Sequence, residues 1–301
     1  MDRLDAMSVL VAAVEAGSLS AAARGRGMPL ATVSRKVSEL EAHLKTRLVN
    51  RSSRQLTLTD AGRSYVAACK RILEDVSDAE RVASGEYRAP KGDLVITAPI
   101  VFGRLHVLPV AMEFLNAYPD VDIRLMLADR MINLLEDHVD LALRIGELPD
   151  SSLVASRVGS IRRVVCASPA YFAARGTPQN PGDLAHHDCV TFEGLSSPAA
   201  WSFRIGRSDV PIPIHSRLVV NTAEAAIDAA IARGGITRAL SYQIANAIEL
   251  GALVVVLEKF ESAPAPVNLV HAGQPRLPLK LRAFLDFAAP RLKARLSRGV
   301  S

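Results

Sequence analysis

The chain has 301 residues and a net charge of +5, from 36 Lys and Arg against 31 Asp and Glu. With 49% apolar and 22% charged residues it has the profile of a globular protein, long enough for two or more cored domains, and not that of a low-complexity or collagen-like chain. Its three cysteines, Cys69, Cys166 and Cys189, show no C-x-x-C spacing; they exclude a disulfide framework or a zinc finger and fit a reducing cytoplasm. Leu4, Met7, Leu10, Val11 and Val14 predict an amphipathic first helix. Asp2 and Asp5 outweigh Arg3 ahead of the apolar stretch 7–13, the wrong sign for a secretory leader. No apolar run approaches the ~20 residues of a bilayer span, so no membrane partner is expected.

Ser18 is a good N-cap for a short second helix through the 21–23 alanine run, and Gly25 and Gly27 bracket a turn. Pro29 suits the first position of a third helix. Its apolar stripe is read as Leu30, Val33, Val37, Leu40 and Leu44, with Thr32, Ser34, Arg35, Lys36 and Ser38 on the other face. Arg47, Asn50, Arg51, Ser52, Ser53 and Arg54 then lead into the alternating Gln55, Leu56, Thr57 and Leu58, read as a turn and a short strand pair with arginines at its tip. Residues 24–54 hold eight basic and two acidic side chains, so the basic character is local and the rest of the chain is near neutral. A helix-turn-helix with a basic wing is expected to enter the major groove of duplex DNA through Pro29, Ala31, Thr32, Ser34 and Arg35. Arg51 and Arg54 are expected on the phosphate backbone or in the minor groove. A solvated basic hairpin is the plainer reading.

The run AAARGRGMPLATVSRKVSELEAHLKTRLVNRSSRQLTLTDAG, residues 21–62, resembles the N-terminal domain of the LysR-type transcriptional regulators, and the resemblance continues more weakly to the end of the chain. Two departures stand out: Arg26, after Gly25, replaces an apolar residue, and Lys45 replaces the glycine before Thr46-Arg47-Leu48. The resemblance implies a one-component regulator, dimeric or tetrameric, that binds an inverted-repeat promoter site and answers to a small organic effector, with RNA polymerase as a further partner.

From Thr59 and Asp60 a helix is expected to about residue 88. Tyr65, Cys69, Ile72, Val76, Ala79 and Ala83 trace a heptad seam along it, open to two readings: packing on its own core, or dimerisation with a second copy. Pro90 and Gly92 mark a hinge. Strand 94–97, helix 105–118, strand 121–127, helix 130–137 and strand 139–144 argue a mostly parallel α/β sheet. A second set follows: strand 164–167, a helix from Pro169, strands near 190–192 and 201–205, strand 218–220, helix 222–232 and strand 253–257. Strand 267–271 returns to the first set, and helix 279–296 closes the chain. The expected fold is α plus α/β: a winged helix-turn-helix (1–58), a linker helix (59–89) and a two-lobed effector domain of periplasmic-binding-protein type. Lobe I takes 90–163 and 266–301, and lobe II takes 164–265.

Ligands of open α/β sheets sit at the carboxyl ends of strands, beside helix N-termini. That selects Thr97, Ile100, Phe102, Arg144, Phe192, Asn221, Thr222 and Gly235 as effector-binding candidates. Thr97, Asn221 and Thr222 are equally plain caps or turn residues, the two phenylalanines are more often core than wall, Arg144 can simply pair with Asp137 or Glu147, and the Gly234-Gly235-Ile236 turn either lets backbone approach closely or is a simple loop. His186, His187, Asp188 and Cys189 lack metal-ligand spacing, so no metal and no cofactor are expected. Gly25-x-Gly27 lacks the third glycine of a dinucleotide loop, and no G-x-S-x-G is present. No set of residues supports an enzyme.

Overall fold

The computed structural model describes residues 1–51, 56–83, 89–130, 133–134, 137–148, 152–193, 199–273 and 277–298. Contacts divide the chain into two units, Met1–Ala89 and Pro90–Ser301.

In the first unit, α1 (Arg3–Glu15), α2 (Leu19–Gly25) and α3 (Leu30–Leu44) are followed by β1 (Val49–Arg51), β2 (Leu56–Leu58) and α4 (Asp60–Ala83). Asp2 and Ser18 cap the first two helices by accepting main-chain N–H bonds. The core gathers Ala6, Val9 and Leu10 of α1, Ala23 of α2, Val33, Val37 and Leu40 of α3, and Leu48, Val49 and Val66. Leu30 stands outside this stripe at 50% exposure, because it begins α3 before the helix has turned inward. Pro29 is the N-cap, with ψ at 138°, rather than the first helical residue. β1 and β2 pair antiparallel from Val49↔Leu58 to Arg51↔Leu56, and a Glu41 carboxylate oxygen accepts from Leu48 N at 2.8 Å and Val49 N at 3.1 Å, fixing the wing to α3.

Both departures acquire a physical reading. Arg26 donates to the Ser8 hydroxyl at 2.8 Å, tying the end of α2 to α1. Lys45 holds a left-handed φ of 51° at the C-cap of α3. A side chain in that region costs roughly 1–2 kcal/mol, and glycine avoids it at an entropic cost of about 0.5–1 kcal/mol. Lys45→Gly is therefore expected to stabilise the first unit slightly, by up to about 1 kcal/mol, read as a raised denaturant midpoint at constant slope.

The first half of α4 packs on its own chain: Cys69 is fully buried, Val66 nearly so, and Lys70 pairs with Glu15 at 2.6 Å. Burial pushes the Cys69 thiol up, as expected of a core filler. Ile72, further along the seam, is 40% exposed.

The second unit holds two five-stranded sheets. The first is ordered β4-β3-β5-β14-β6, from β3 (Gly92–Ala98), β4 (Val121–Leu127), β5 (Leu141–Ile145), β6 (Leu153–Ile161) and β14 (Ala265–Ala272). The second is β11-β8-β12-β7-β13, from β7 (Arg163–Ala167), β8 (Asp188–Phe192), β11 (His215–Val220), β12 (Ile236–Leu240) and β13 (Val254–Val256), with the hairpin β9 (Ala200–Ile205) and β10 (Ser208–Pro213) beside it. Each five-stranded sheet is mixed, not mostly parallel: β3–β4, β3–β5, β8–β11 and β8–β12 are parallel, while β14 runs antiparallel to β5 and β6, and β7 to β12 and β13. Antiparallel pairing follows from the chain leaving one sheet by β6 and re-entering it by β14. At the exit, Arg162 binds Glu261 at 2.7 Å and Glu258 at 3.0 Å.

The helix after β3 runs from Ile100 to Ala117 as α5 (Ile100–Phe102), a π-turn at Gly103–Val107 and α6 (Leu108–Ala117). Pro109 has no N–H to give the Leu105 carbonyl, which accounts for the widened turn. This stretch is apolar over 18 residues, and Val107, Val110 and Phe114 sink into the core with Phe284, Ala288 and Leu292 of α10 (Leu279–Arg298). The expected helix at 130–137 is not observed where residues are described: Arg130 lies in a bend and Leu134 and Asp137 in turns. Completing the unit are α7 (Pro169–Arg175), α8 (Ala223–Ile231) and α9 (Ser241–Glu249). β6, β10, β12 and α9 go beyond the sequence expectation.

Candidate functional site

Two sites are built on this frame. The first is the opening of α3. No side-chain hydrogen bond caps it, and an uncapped helix start of this length offers its first N–H groups to a phosphate. Pro29, Ala31 and Arg35 are exposed, and Thr32 and Ser34 half-buried on the same helix. Arg35 reaches Glu39 one turn on at 2.9 Å, an exposed pair that orients the guanidinium at little energetic gain. Lys36 instead turns inward to the Asp5 carboxylate of α1, so it braces two helices. Arg51 ends β1, and Arg54 lies outside the described residues.

The second site lies at the carboxyl ends of the parallel strands of both sheets. Thr97 is fully buried near the end of β3. Ile100, opening α5, donates its N–H to an Asp129 carboxylate oxygen at 3.0 Å. From the other sheet, Phe192 ends β8 and packs with Val190, Ala223 and Ala226 against Val101, so both sheets contribute to one apolar cluster. Thr222 caps α8 by accepting from Ala225 N at 3.3 Å, and Asn221 beside it is exposed. Phe102 is wholly buried, its ring 5.6 Å from Tyr242 and 4.8 Å from His106; it backs the site and is core. Arg144, near the end of β5, is 8% exposed, and burial lowers its pKa.

Gly235 is elsewhere. It precedes β12, and a Cβ there would stand 2.4 Å from the Asp188 carbonyl oxygen at the start of β8. Since β8 and β12 are parallel, that is the entry end of the strands, the full length of β8 from Phe192. The glycine turn thus lets the β12 backbone approach β8 closely, apart from the strand-end group.

Three residues missed by sequence reasoning share the second site: His106, Asp129 and Tyr242. The His106 and Tyr242 rings lie 5.4 Å apart. Both His106 nitrogens, the free Asp129 oxygen and the Thr97 hydroxyl are buried without a hydrogen-bond partner among the described residues, and the buried Tyr242 hydroxyl beside them is within reach of the Gln243 side chain. Burial lowers the His106 pKa and raises that of Tyr242; burial, joined by the nearby Glu224, raises that of Asp129 against the Ile100 N–H bond. A buried polar atom left unpaired costs ~1–3 kcal/mol, so a group of them marks a place built for polar company. The one sequence signal was strand-end position, which selects Thr97 and is silent on residues brought in by α9 and the π-turn.

Residues 4–63 match the family model for the bacterial regulatory helix-turn-helix protein, lysR family, and residues 88–293 match the model for the LysR substrate binding domain. An HTH-type transcriptional repressor of Pseudomonas aeruginosa is 34% identical over 95% of this chain and 91% of its own length. The HTH-type transcriptional activator AaeR of Escherichia coli is 32% identical, over 95% of this chain and 93% of its own. Among solved structures, CrgA, a LysR-type regulator from Neisseria meningitidis, is 34% identical with a TM-score of 0.61, covering 96% of this chain and 98% of that one. The full-length Vibrio cholerae virulence activator AphB is 28% identical with a TM-score of 0.60, covering 95% and 98%. With a DNA-reading unit, a two-sheet effector unit and relatives along its whole length, the chain belongs to the LysR-type family of DNA-binding, effector-controlled transcriptional regulators.

Proposed function

We propose that α3 reads an inverted-repeat promoter through Pro29, Ala31, Thr32, Ser34 and Arg35, with Arg51 and Arg54 on the backbone or minor groove. A small polar organic molecule held by Thr97, Ile100, Asp129 and Tyr242 controls it. The domain limits follow: reading head 1–58, linker helix 59–89, effector domain 90–301. The observation that carries the effector reading is the group of buried polar atoms without partners among the described residues, from Thr97, His106 and Asp129, beside the Tyr242 hydroxyl at one set of strand ends. The protein acts in the cytoplasm as a regulator without enzymatic activity, as a homodimer or homotetramer, with RNA polymerase as a further partner. Two exposed apolar features support pairing with a second copy: the stripe Leu105, Leu108 and Met112 on the π-turn and α6, and Leu218 with Val219 on the edge strand β11.

The test is selection of genomic fragments by the purified protein at two salt concentrations. Enrichment of an inverted repeat with half-sites about one helical turn apart is the expected result, and retention without sequence preference would overturn it. Arg35→Ala should weaken specific binding by about 1–3 kcal/mol and relax the preferred base, whereas Arg54→Ala should weaken all sequences alike and flatten the salt dependence. Equal losses of specific and nonspecific binding in both variants would sink this division of roles.

A further inference from the structure

On the face of the first sheet formed by β5, β14 and β6 lies an open groove of about 550 Å³, within the range of small-molecule sites. Asn268, Arg157, Ser160 and Glu147 supply its polar lining, and Pro264 and Pro266 part of its apolar wall. It shares no lining residue with the Thr97–Asp129–Tyr242 cluster and does not depend on that reading.

Asn268 is the decisive residue. It sits in the middle of β14 at 8% exposure, between Arg144 of β5 and Arg157 of β6 in the ladder, so the three side chains share one face. Among the described residues its carboxamide has no hydrogen-bond partner, and it lines the groove. Its amide opens on the groove, so two donors and an acceptor are held ready for a molecule there. Arg157, which lines the groove, is steadied by Nε donating to the Gly159 carbonyl at 3.3 Å. Glu147 lines the same groove and forms no ion pair with Arg157. A cation and an anion that share a groove without neutralising each other suit a ligand carrying both complementary charges. The prolines make the wall rigid, and Gly146 N donates to the Pro266 carbonyl at 2.8 Å, fixing the rim before a ligand arrives.

We propose that this groove binds a small zwitterion of the α-amino acid class. Its carboxylate accepts from the Asn268 amide, the Arg157 guanidinium and the Ser160 hydroxyl, and its ammonium donates to Glu147. A short apolar body lies against Pro264 and Pro266. The ligand would bridge β6 and β14, the strands by which the chain leaves and re-enters this sheet, and so bear on the crossover.

The test is thermal shift and calorimetric titration of the full chain with the twenty L-α-amino acids, each beside its amine-only and acid-only analogue (for leucine, isopentylamine and 4-methylpentanoate). At least one amino acid is expected to raise Tm saturably and to bind tenfold or more tighter than either analogue. Arg157→Ala and Asn268→Ala should weaken it at least tenfold, and Glu147→Gln should remove the preference for the amino acid over the acid. Arg157 and Glu147 are exposed, so their variants keep the test sound if Asn268→Ala does not fold. The proposal is overturned if no amino acid shifts the wild-type protein. It is also overturned if binding survives unchanged in both Arg157→Ala and Glu147→Gln, or is lost in Tyr242→Phe while intact in Arg157→Ala.

Discussion

Replacing Gly62 by alanine is expected to unfold the DNA-reading unit while leaving the effector unit folded. Gly62 sits in the first turn of α4, and a Cβ there would fall 1.9 Å from the Leu48 carbonyl oxygen and 2.8 Å from its carbon. Both are backbone atoms, so no flexible side chain can yield. Leu48 cannot retreat either: it is 1% exposed, its N–H is held by Glu41 at 2.8 Å, and its carbonyl accepts from Thr59 N at 3.1 Å. The Thr59 hydroxyl in turn accepts from Gly62 N at 2.9 Å, so helix and wing are joined at the point of collision. Relief requires separating them, at a cost of about 3 kcal/mol or more. Calorimetry should show the transition of the first unit lowered or lost, that of the second unchanged, and specific DNA binding abolished. Gly25→Ala is the control: a Cβ there meets nothing within 4 Å at the end of α2, and alanine should be neutral or stabilising by up to about 1 kcal/mol. A Gly62→Ala protein whose first transition stayed within about 1 kcal/mol of its parent would refute this account of the motif.

The reading head was legible because its determinants are local. The 33-37-40 stripe, the Ser18 cap and the alternation 55–58 each act within a few residues, and those signals survive without tertiary knowledge. What failed there was settled across the fold. Lys36 looks like a surface cation until Asp5 of α1 is brought beside it, and Leu30 looks like core until the helix start is seen to face outward. In the effector unit, β6 was missed because it is a partly exposed strand with no clean alternation, paired along its length with β14 more than a hundred residues away. The strand-end rule selected Thr97, Ile100, Phe192 and Thr222 by topology. It could not select Asp129, His106 and Tyr242, whose place depends on a loop, a π-turn at Pro109 and a helix the sequence pattern did not assign. Gly235 stands apart for a related reason: a glycine pair before a strand signals close approach, but not what approaches.

That ambiguity gives Gly235 a sharp test. At φ +147° it occupies backbone space that side chains rarely enter, and an added Cβ would meet the Asp188 oxygen at 2.4 Å, its carbon at 2.9 Å and Cys189 N at 3.4 Å. Asp188 is anchored in its turn by Arg217 at 3.0 Å and by its own N–H to the Tyr171 hydroxyl at 3.1 Å. Alanine must therefore push β12 off β8 at Ile236↔Cys189, opening the centre of the second sheet, where both residues are wholly buried. The expected cost is about 3 kcal/mol or more, from the strained φ together with the lost packing. Far along the same strands, β8 ends in Phe192 and β12 leads into Tyr242, so effector binding should fail although Gly235 lies at the opposite end of these strands. Gly235→Ala should therefore lower the melting of the effector unit, speed hydrogen exchange in β8 and β12, and lose effector affinity together with stability. A direct ligand contact predicts the opposite pattern, weakened binding in a unit that melts where the parent does.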